Sequence, residues 1–296
     1  MRQALTTRFR RVGLPRRPTE NDGGSQVWFP PPPLGDRELD AALATGGQLE
    51  DVSCPVCGRR GPLGGFHQNI RESGLCPACG AWTRIRQLAV VATAALGELT
   101  GRPGARCLTD FRSVPGLRVY DTEAQGALHD ALSPLPGYVA SEYFGPELHS
   151  GDTGPGGVPH EDLQDLSFAS ETFDLVLSTD VLEHVPDPYR AHREICRVLR
   201  PGGHHVFTVP YDEAAARDDV RAEVVGGEVR LLSEPLYHGD PLRPEEGALV
   251  FTIFGLEMVV KLAQLGLRTS VYRLWDPGRG LVGESGVVFD AVKPVP

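Results

Sequence analysis

Two short cysteine turns constrain this chain more than any other feature. Cys54-Pro-Val-Cys57-Gly58 and Cys76-Pro-Ala-Cys79-Gly80 repeat one pattern, with eighteen residues between Cys57 and Cys76. A C-x-x-C turn lets two sulfurs face one ion, and two such turns at this separation supply four thiolates for tetrahedral zinc. Glycine after the second cysteine lets the backbone turn and offer amide hydrogens to the sulfurs. Four protein ligands leave no open position for substrate. Cys54, Cys57, Cys76 and Cys79 therefore read as a structural site that fixes a module too small for its own core. Close pairing of four of the six cysteines points to a reducing compartment, with the cytoplasm as the default. His67 lies between the turns and, with four cysteines available, reads as a surface residue. Trp82, Arg84 and Arg86 follow directly and read as part of a packed lid, with RNA contact as the alternative.

The rest of the chain is organised around that module. Residues 1–20 carry six arginines and one glutamate, and Pro30–Pro33 form a stiff spacer. Residues 1–50 thus read as a basic tail and proline-rich linker. Residues 51–100 form the zinc module and a following helix, Thr83–Leu99, ended by Gly101, Pro103 and Gly104. From Ala105 strands and helices alternate. Strands are expected at Leu117–Asp121, Gly137–Tyr143, Phe173–Ser178, His205–Val209, Arg268–Leu274 and Gly286–Val292, and helices at Ala127–Leu132, Pro188–Leu199 and Gly255–Leu265. Such alternation predicts an α/β fold with a doubly wound, mostly parallel sheet, whose ligands sit beyond the carboxyl ends of the strands. Lys+Arg 29 against Asp+Glu 39 gives a net charge of −10, which argues against a protein that coats nucleic acid. No apolar run approaches the ~20 residues needed to span a bilayer, so no membrane partner is expected.

Phe173–Pro210 reads FDLVLSTDVLEHVPDPYRAHREICRVLRPGGHHVFTVP. FDLV with VLEHV, a helix ending RVLRPGG, and an apolar strand after it resemble the fourth-to-fifth-strand segment of class I S-adenosylmethionine-dependent methyltransferases. The approach Leu166–Asp174 also resembles the family's LPF-x-x-x-x-FD. The resemblance covers about residues 105–296, and some methyltransferases with a pair of N-terminal CPxCG knuckles are similar over a longer stretch. It implies a seven-stranded Rossmann-like sheet in residues 101–296, with an acceptor-side insertion at 212–254.

It also implies cofactor contacts. Val119–Gly126 corresponds to the turn that closes on the methionyl moiety, so Asp121, Thr122, Glu123, Gln125 and Gly126 become candidates. The stretch keeps only one of the usual glycines, so either the side chains of Glu123 and Gln125 bind the cofactor's amino-acid end directly or binding is weakened or lost. Glu142 stands where the family has the acid that accepts both ribose hydroxyls. Asp162 and Leu163 would receive the adenine amino group and cover the ring, and Ser178 and Thr179 would line the methionyl sulfur.

Methyl transfer requires alignment of the acceptor, exclusion of water and, where needed, removal of a proton. Asp180, Glu183 and His184 follow the fourth strand. They orient a loop, position or deprotonate the acceptor, or hold a divalent ion as a similar set does in ubiquinone-pathway O-methyltransferases. In the insertion, Tyr237-His238-Gly239-Asp240-Pro241 and Arg243 collect polar groups, and His238 is a second candidate base. His184, His238 and Asp180 are the expected catalytic group. His204 and His205 start a strand at the other end of the sheet, away from the site. Cys107 and Cys196 read as small buried residues. The expected activity is methyl transfer to a hydroxyl or amine of a small molecule such as a natural product or saccharide. The alternatives are a non-catalytic cofactor-binding scaffold and a zinc-guided RNA methyltransferase. The latter lacks the Asn/Asp-Pro-Pro-Tyr stretch expected after the fourth strand.

Overall fold

The computed structural model describes residues 36–240, 242, 245–283 and 286–296. The arginine-rich tail, the proline spacer, Pro241 and Arg243 lie outside the described residues. Asp36 caps a first short helix, α1 (Arg37–Ala44), by accepting from the Glu38 and Leu39 amides. The antiparallel pair β1 (Leu49–Ser53) and β2 (Arg60–Leu63) then flanks the first cysteine turn. After the second turn comes the longest helix, α2 (Thr83–Thr100), closed by Gly101 in the left-handed conformation.

β3 (Val119–Asp121), α3 (Gly126–Leu132) and β4 (Tyr138–Ala140) follow, the two strands pairing in parallel. β5 (Phe173–Thr179), α4 (Pro188–Val198) and β6 (Leu199–Thr208) extend the sheet on the other side of β3. Pro188 at the first turn and the Asp187 carboxylate, accepting from the Tyr189 and Arg190 amides, start α4. Short strands β7 (Asp219–Val220), β8 (Ala222–Val225), β9 (Glu228–Leu231), β10 (Tyr237–His238), β11 (Ala248–Leu249) and β12 (Thr252–Ile253) fill the insertion. α5 (Glu257–Gln264), β13 (Arg268–Arg273) and β14 (Val287–Val292) complete the chain.

The main sheet runs β13-β14-β6-β5-β3-β4. β4, β3, β5 and β6 are parallel, and β14 is antiparallel to both neighbours. The fold is Rossmann-like, with six strands where seven were expected. The missing edge strand survives as a single parallel bridge between Glu142 and His160. The Gly- and Pro-rich stretch between them offers few side chains to pack on a sheet, so pairing goes no further.

Alternation along β5 separates two cores. Leu175 and Leu177 pack with α2 and α3, whereas Val176 packs with α4 and α5. α2 thus belongs to the sheet as much as to the cysteine module. Arg86, fully buried within it, donates to the carbonyls of Gly74, Ala81 and Gly280 and to the Thr83 hydroxyl, joining the module to the last strand-to-strand connection. No helix among the described residues is long and apolar enough to cross a membrane.

Candidate functional site

The two cysteine turns are built alike. Cys54 N–H donates to Arg59 O and Cys76 N–H to Ala81 O, both at 2.9 Å, while the Gly58 and Gly80 amides return to the cysteine carbonyls. Both glycines stand at φ near +75°, at 77° and 72°, where an L side chain is strained. The four sulfurs converge: Cys54–Cys79 and Cys57–Cys76 are each 3.8 Å apart. Tetrahedral zinc with Zn–S near 2.3 Å requires S···S edges of about 3.8 Å. The donor set therefore fits zinc. The hydrogen bond between Cys79 and Cys54 brings the Cys54 thiol down to about 5 and raises that of Cys79, while burial pushes Cys57 up to about 11, so the four sulfurs share a proton where a metal ion would replace it. His67 is exposed, and its Nδ1 accepts from the Asn69 amide.

Beyond the carboxyl ends of β3, β4 and β5 lies an open cleft of about 1400 Å³. Room for a nucleoside-sized ligand is ample. Thr122, Glu123, Gln125, Glu142, Asp162, Leu163 and Thr179 all line it. Glu142 follows β4, and its Oε1 accepts from the Ala124 N–H at 2.9 Å. No hydrogen bond among the described residues occupies Oε2, and burial raises its pKa. The Asp162 carboxylate accepts from the amide and side chain of Gln164. Glu123 accepts from the Thr179 hydroxyl, and burial pushes its carboxyl up to about 7. Thr122 adds a buried hydroxyl with no hydrogen-bond partner among the described residues.

Three expected donor contacts stand elsewhere. Ser178 is fully buried on the α4 face of β5, 3.0 Å from His205 Nε2, because successive strand residues face opposite ways. Asp121 is 1% exposed and accepts from the Tyr138 hydroxyl at 3.0 Å and the Glu123 amide, fixing the turn from beneath. Gly126 opens α3 and does not line the cleft. His204 pairs with Asp290 at 2.8 Å inside the sheet. Cys107 is buried and Cys196 half-buried.

Asp180 lines the cleft in an unexpected state. It adopts φ 52°, uncommon for a residue with a side chain, and its carboxylate accepts two hydrogen bonds from Arg71 and one from Thr208. Burial alone would raise its pKa, but Arg84 and Arg71 outweigh that and hold it at about 2. Arg84 in turn grips Glu72 at 2.8 and 3.0 Å. Trp82, Arg84 and Arg71 thus wall the cleft from the cysteine module. Sequence reading missed Arg71 and Glu72, which carry no motif.

Glu183 is separated from Asp180. The turn Leu182–His184 buries its side chain completely, and burial pushes its carboxyl up to about 7. His184 Nδ1 lies 2.8 Å from the Leu249 carbonyl, and the Phe251 amide donates to Glu183 O at 2.7 Å. These contacts bring the β10–β11 pair over the turn. His238 arrives with its ring centroid 5.0 Å from that of His184, at 88°.

Residues 148–207, which carry β5, α4 and most of β6, match the family model described as a methyltransferase domain. An uncharacterized methyltransferase of Mycobacterium marinum is 30% identical over 154 residues, 51% of this chain and 58% of that protein. One from Mycobacterium tuberculosis is 27% identical over 203 residues, 65% of this chain and 76% of that protein. This chain therefore spans a little over half the length of the first relative. Among solved structures, a putative methyltransferase in complex with the Trm112 methyltransferase activator of Haloferax volcanii has a TM-score of 0.38 and 18% identity, covering 70% of this chain and 96% of that one.

Proposed function

We propose that this chain transfers the methyl group of S-adenosylmethionine to a hydroxyl or amine of a small molecule. The carrying observation is the open cleft at the strand ends, with the Glu142 carboxylate at the end of β4 and Asp162 and Leu163 beside it. When bound, the sulfonium donor supplies a methyl group already activated for displacement. The chain's own residues bind and align. Glu142 accepts the ribose hydroxyls, Asp162 receives the adenine amino group, and Leu163 covers the ring. Glu123 and Thr179 contact the methionyl end, with Thr122 and Gln125 beside them. Asp180, held by two arginines, is a structural anchor of that wall and not a base. His184 and His238 face the acceptor and position its reactive atom. Zinc on the four cysteines holds Arg71, Glu72 and Arg84 in place.

A small acceptor is favoured by the charge of the cleft. Glu142, Glu161, Asp162, Glu213, Asp240 and Glu246 line it, while its arginines Arg71 and Arg84 are engaged with Asp180 and Glu72. A polyanion would meet repulsion there. Equilibrium dialysis with methyl-labelled S-adenosylmethionine tests the reading, followed by transfer assays on a panel of small hydroxyl and amine compounds beside total RNA. One retained equivalent and label in a small compound are expected. No retention by folded, zinc-loaded protein overturns the enzyme, and label in RNA alone overturns the acceptor class.

A further inference from the structure

We infer that Glu183, His184 and His238 form a second metal site, taking a divalent first-row ion such as zinc at the acceptor side of the cleft. The inference stands on ligand geometry, and only the naming of that side as the acceptor's rests on the proposed function. One ligand atom from each residue falls within 4.8 Å of the others. His238 Nδ1 is 3.4 Å and His184 Nε2 is 3.7 Å from the same Glu183 oxygen, Oε1. A shared proton would draw a charged pair to about 2.7–2.9 Å. Ligands on one ion at 2.0–2.2 Å in tetrahedral geometry stand about 3.3–3.6 Å apart, and the two distances to Oε1 lie within about 0.1 Å of that range.

The hydrogen-bonding pattern points the same way. A carbonyl can only accept, so His184 Nδ1, 2.8 Å from Leu249 O, carries the hydrogen. Its Nε2 then presents a lone pair toward Glu183 Oε1, where an ion between them would be shared by both. Glu183 has no solvent exposure, and among the described residues neither of its oxygens accepts a hydrogen bond of ordinary geometry, His238 Nδ1 standing 3.4 Å away. Such a group in such a place is costly unless a proton or a cation neutralises it, and a metal ion would serve the carboxylate and both imidazoles at once. The Leu249 carbonyl is the outer partner that fixes tautomer and ring orientation in histidine-ligated metal sites. Both that carbonyl and His238 come from the β10–β11 pair, so the insertion completes the site that the Leu182–His184 turn begins.

Asp180 does not join this set. Its oxygens are taken by Arg71 and Thr208. His184 and His238 keep 19% and 34% of their side-chain surface exposed, and both line the cleft. An ion held by three protein groups there retains a position for water or an acceptor oxygen, unlike the closed four-cysteine site.

Metal counting on the full-length protein tests this. After equilibration with zinc and removal of excess, the wild type should hold two ions per chain and His238→Ala one. Titration with Co²⁺ separates the sites. One equivalent should show thiolate-to-metal charge transfer, and a second should add absorption without it. In His238→Ala the charge-transfer equivalent persists, which also reports that the chain is folded, and the other is lost. A Glu183→Gln variant should lose the same equivalent. A wild type that takes up only the thiolate-bound ion, or a His238→Ala protein that retains both, overturns the assignment. Donor binding measured on the same samples distinguishes failure here from failure of the methyltransferase reading.

Discussion

Arg71 holds Asp180 by two hydrogen bonds, at 2.7 and 2.9 Å, across 109 residues of chain. One partner sits beside the second cysteine turn and the other ends β5, so the cysteine module forms one wall of the cleft. The pair also stabilises the left-handed backbone of Asp180, a conformation that needs support from its surroundings.

Replacing Arg71 with alanine leaves Asp180 with the more distant Arg84 at 3.5 Å. A loss of about 2 kcal/mol is expected, the usual size for charged hydrogen bonds in a half-buried setting. The acid limb should change too. Asp180 is held below its ordinary value, so its stabilisation is present above about pH 4 and fades as pH falls toward 2. Urea denaturation from pH 2 to 7 checks this: Arg71→Ala should be less stable at neutrality and should lose less on acidification.

Loss of zinc should weaken donor binding without touching a donor contact. A Cys76→Ser variant removes one thiolate and frees the wall carrying Arg71, Glu72 and Arg84. Affinity for S-adenosylhomocysteine is expected to fall about tenfold, a common size for coupling between separate sites. Unchanged affinity in a zinc-free protein would separate module from cleft.

Glu123 gives a pH dependence of opposite sign. Its folded carboxyl titrates at about 7, above the ordinary 4.5, because it is buried. The folded chain therefore keeps a proton that the unfolded chain releases. Stability from this group is full below about pH 4.5 and is lost as pH rises through 7, by at most about 3 kcal/mol. Thermal melts of Glu123→Gln without ligand should show a flatter profile over that window.

Local signals made much of this architecture legible. The cysteine turns, the apolar run of β5 and the proline and Asp187 before α4 each act over a few residues, and each element formed within two or three residues of its expected bounds, except that β4 stops at Ala140 and β6 begins at Leu199. Glu142, Asp162 and Thr179 were named by the family resemblance and not by their own pattern, and each reaches the cleft by following a strand or turn. Ser178, named in the same way, does not, because one step along a strand turns a side chain to the opposite face, and a doubly covered sheet offers no polar side to reveal the parity. Arg71 with Asp180, and His238 with Glu183, are pairs set by packing across long separations. No spacing in the sequence records them.

Calorimetric titration with S-adenosylmethionine, comparing the wild type with Glu142→Ala, bears most directly on the central claim. The account predicts one site per chain for the wild type and binding weakened about a hundredfold in the variant, the cost of losing a charged acceptor for two ribose hydroxyls. Equal affinity in the two folded proteins, or no heat from the wild type, would contradict it.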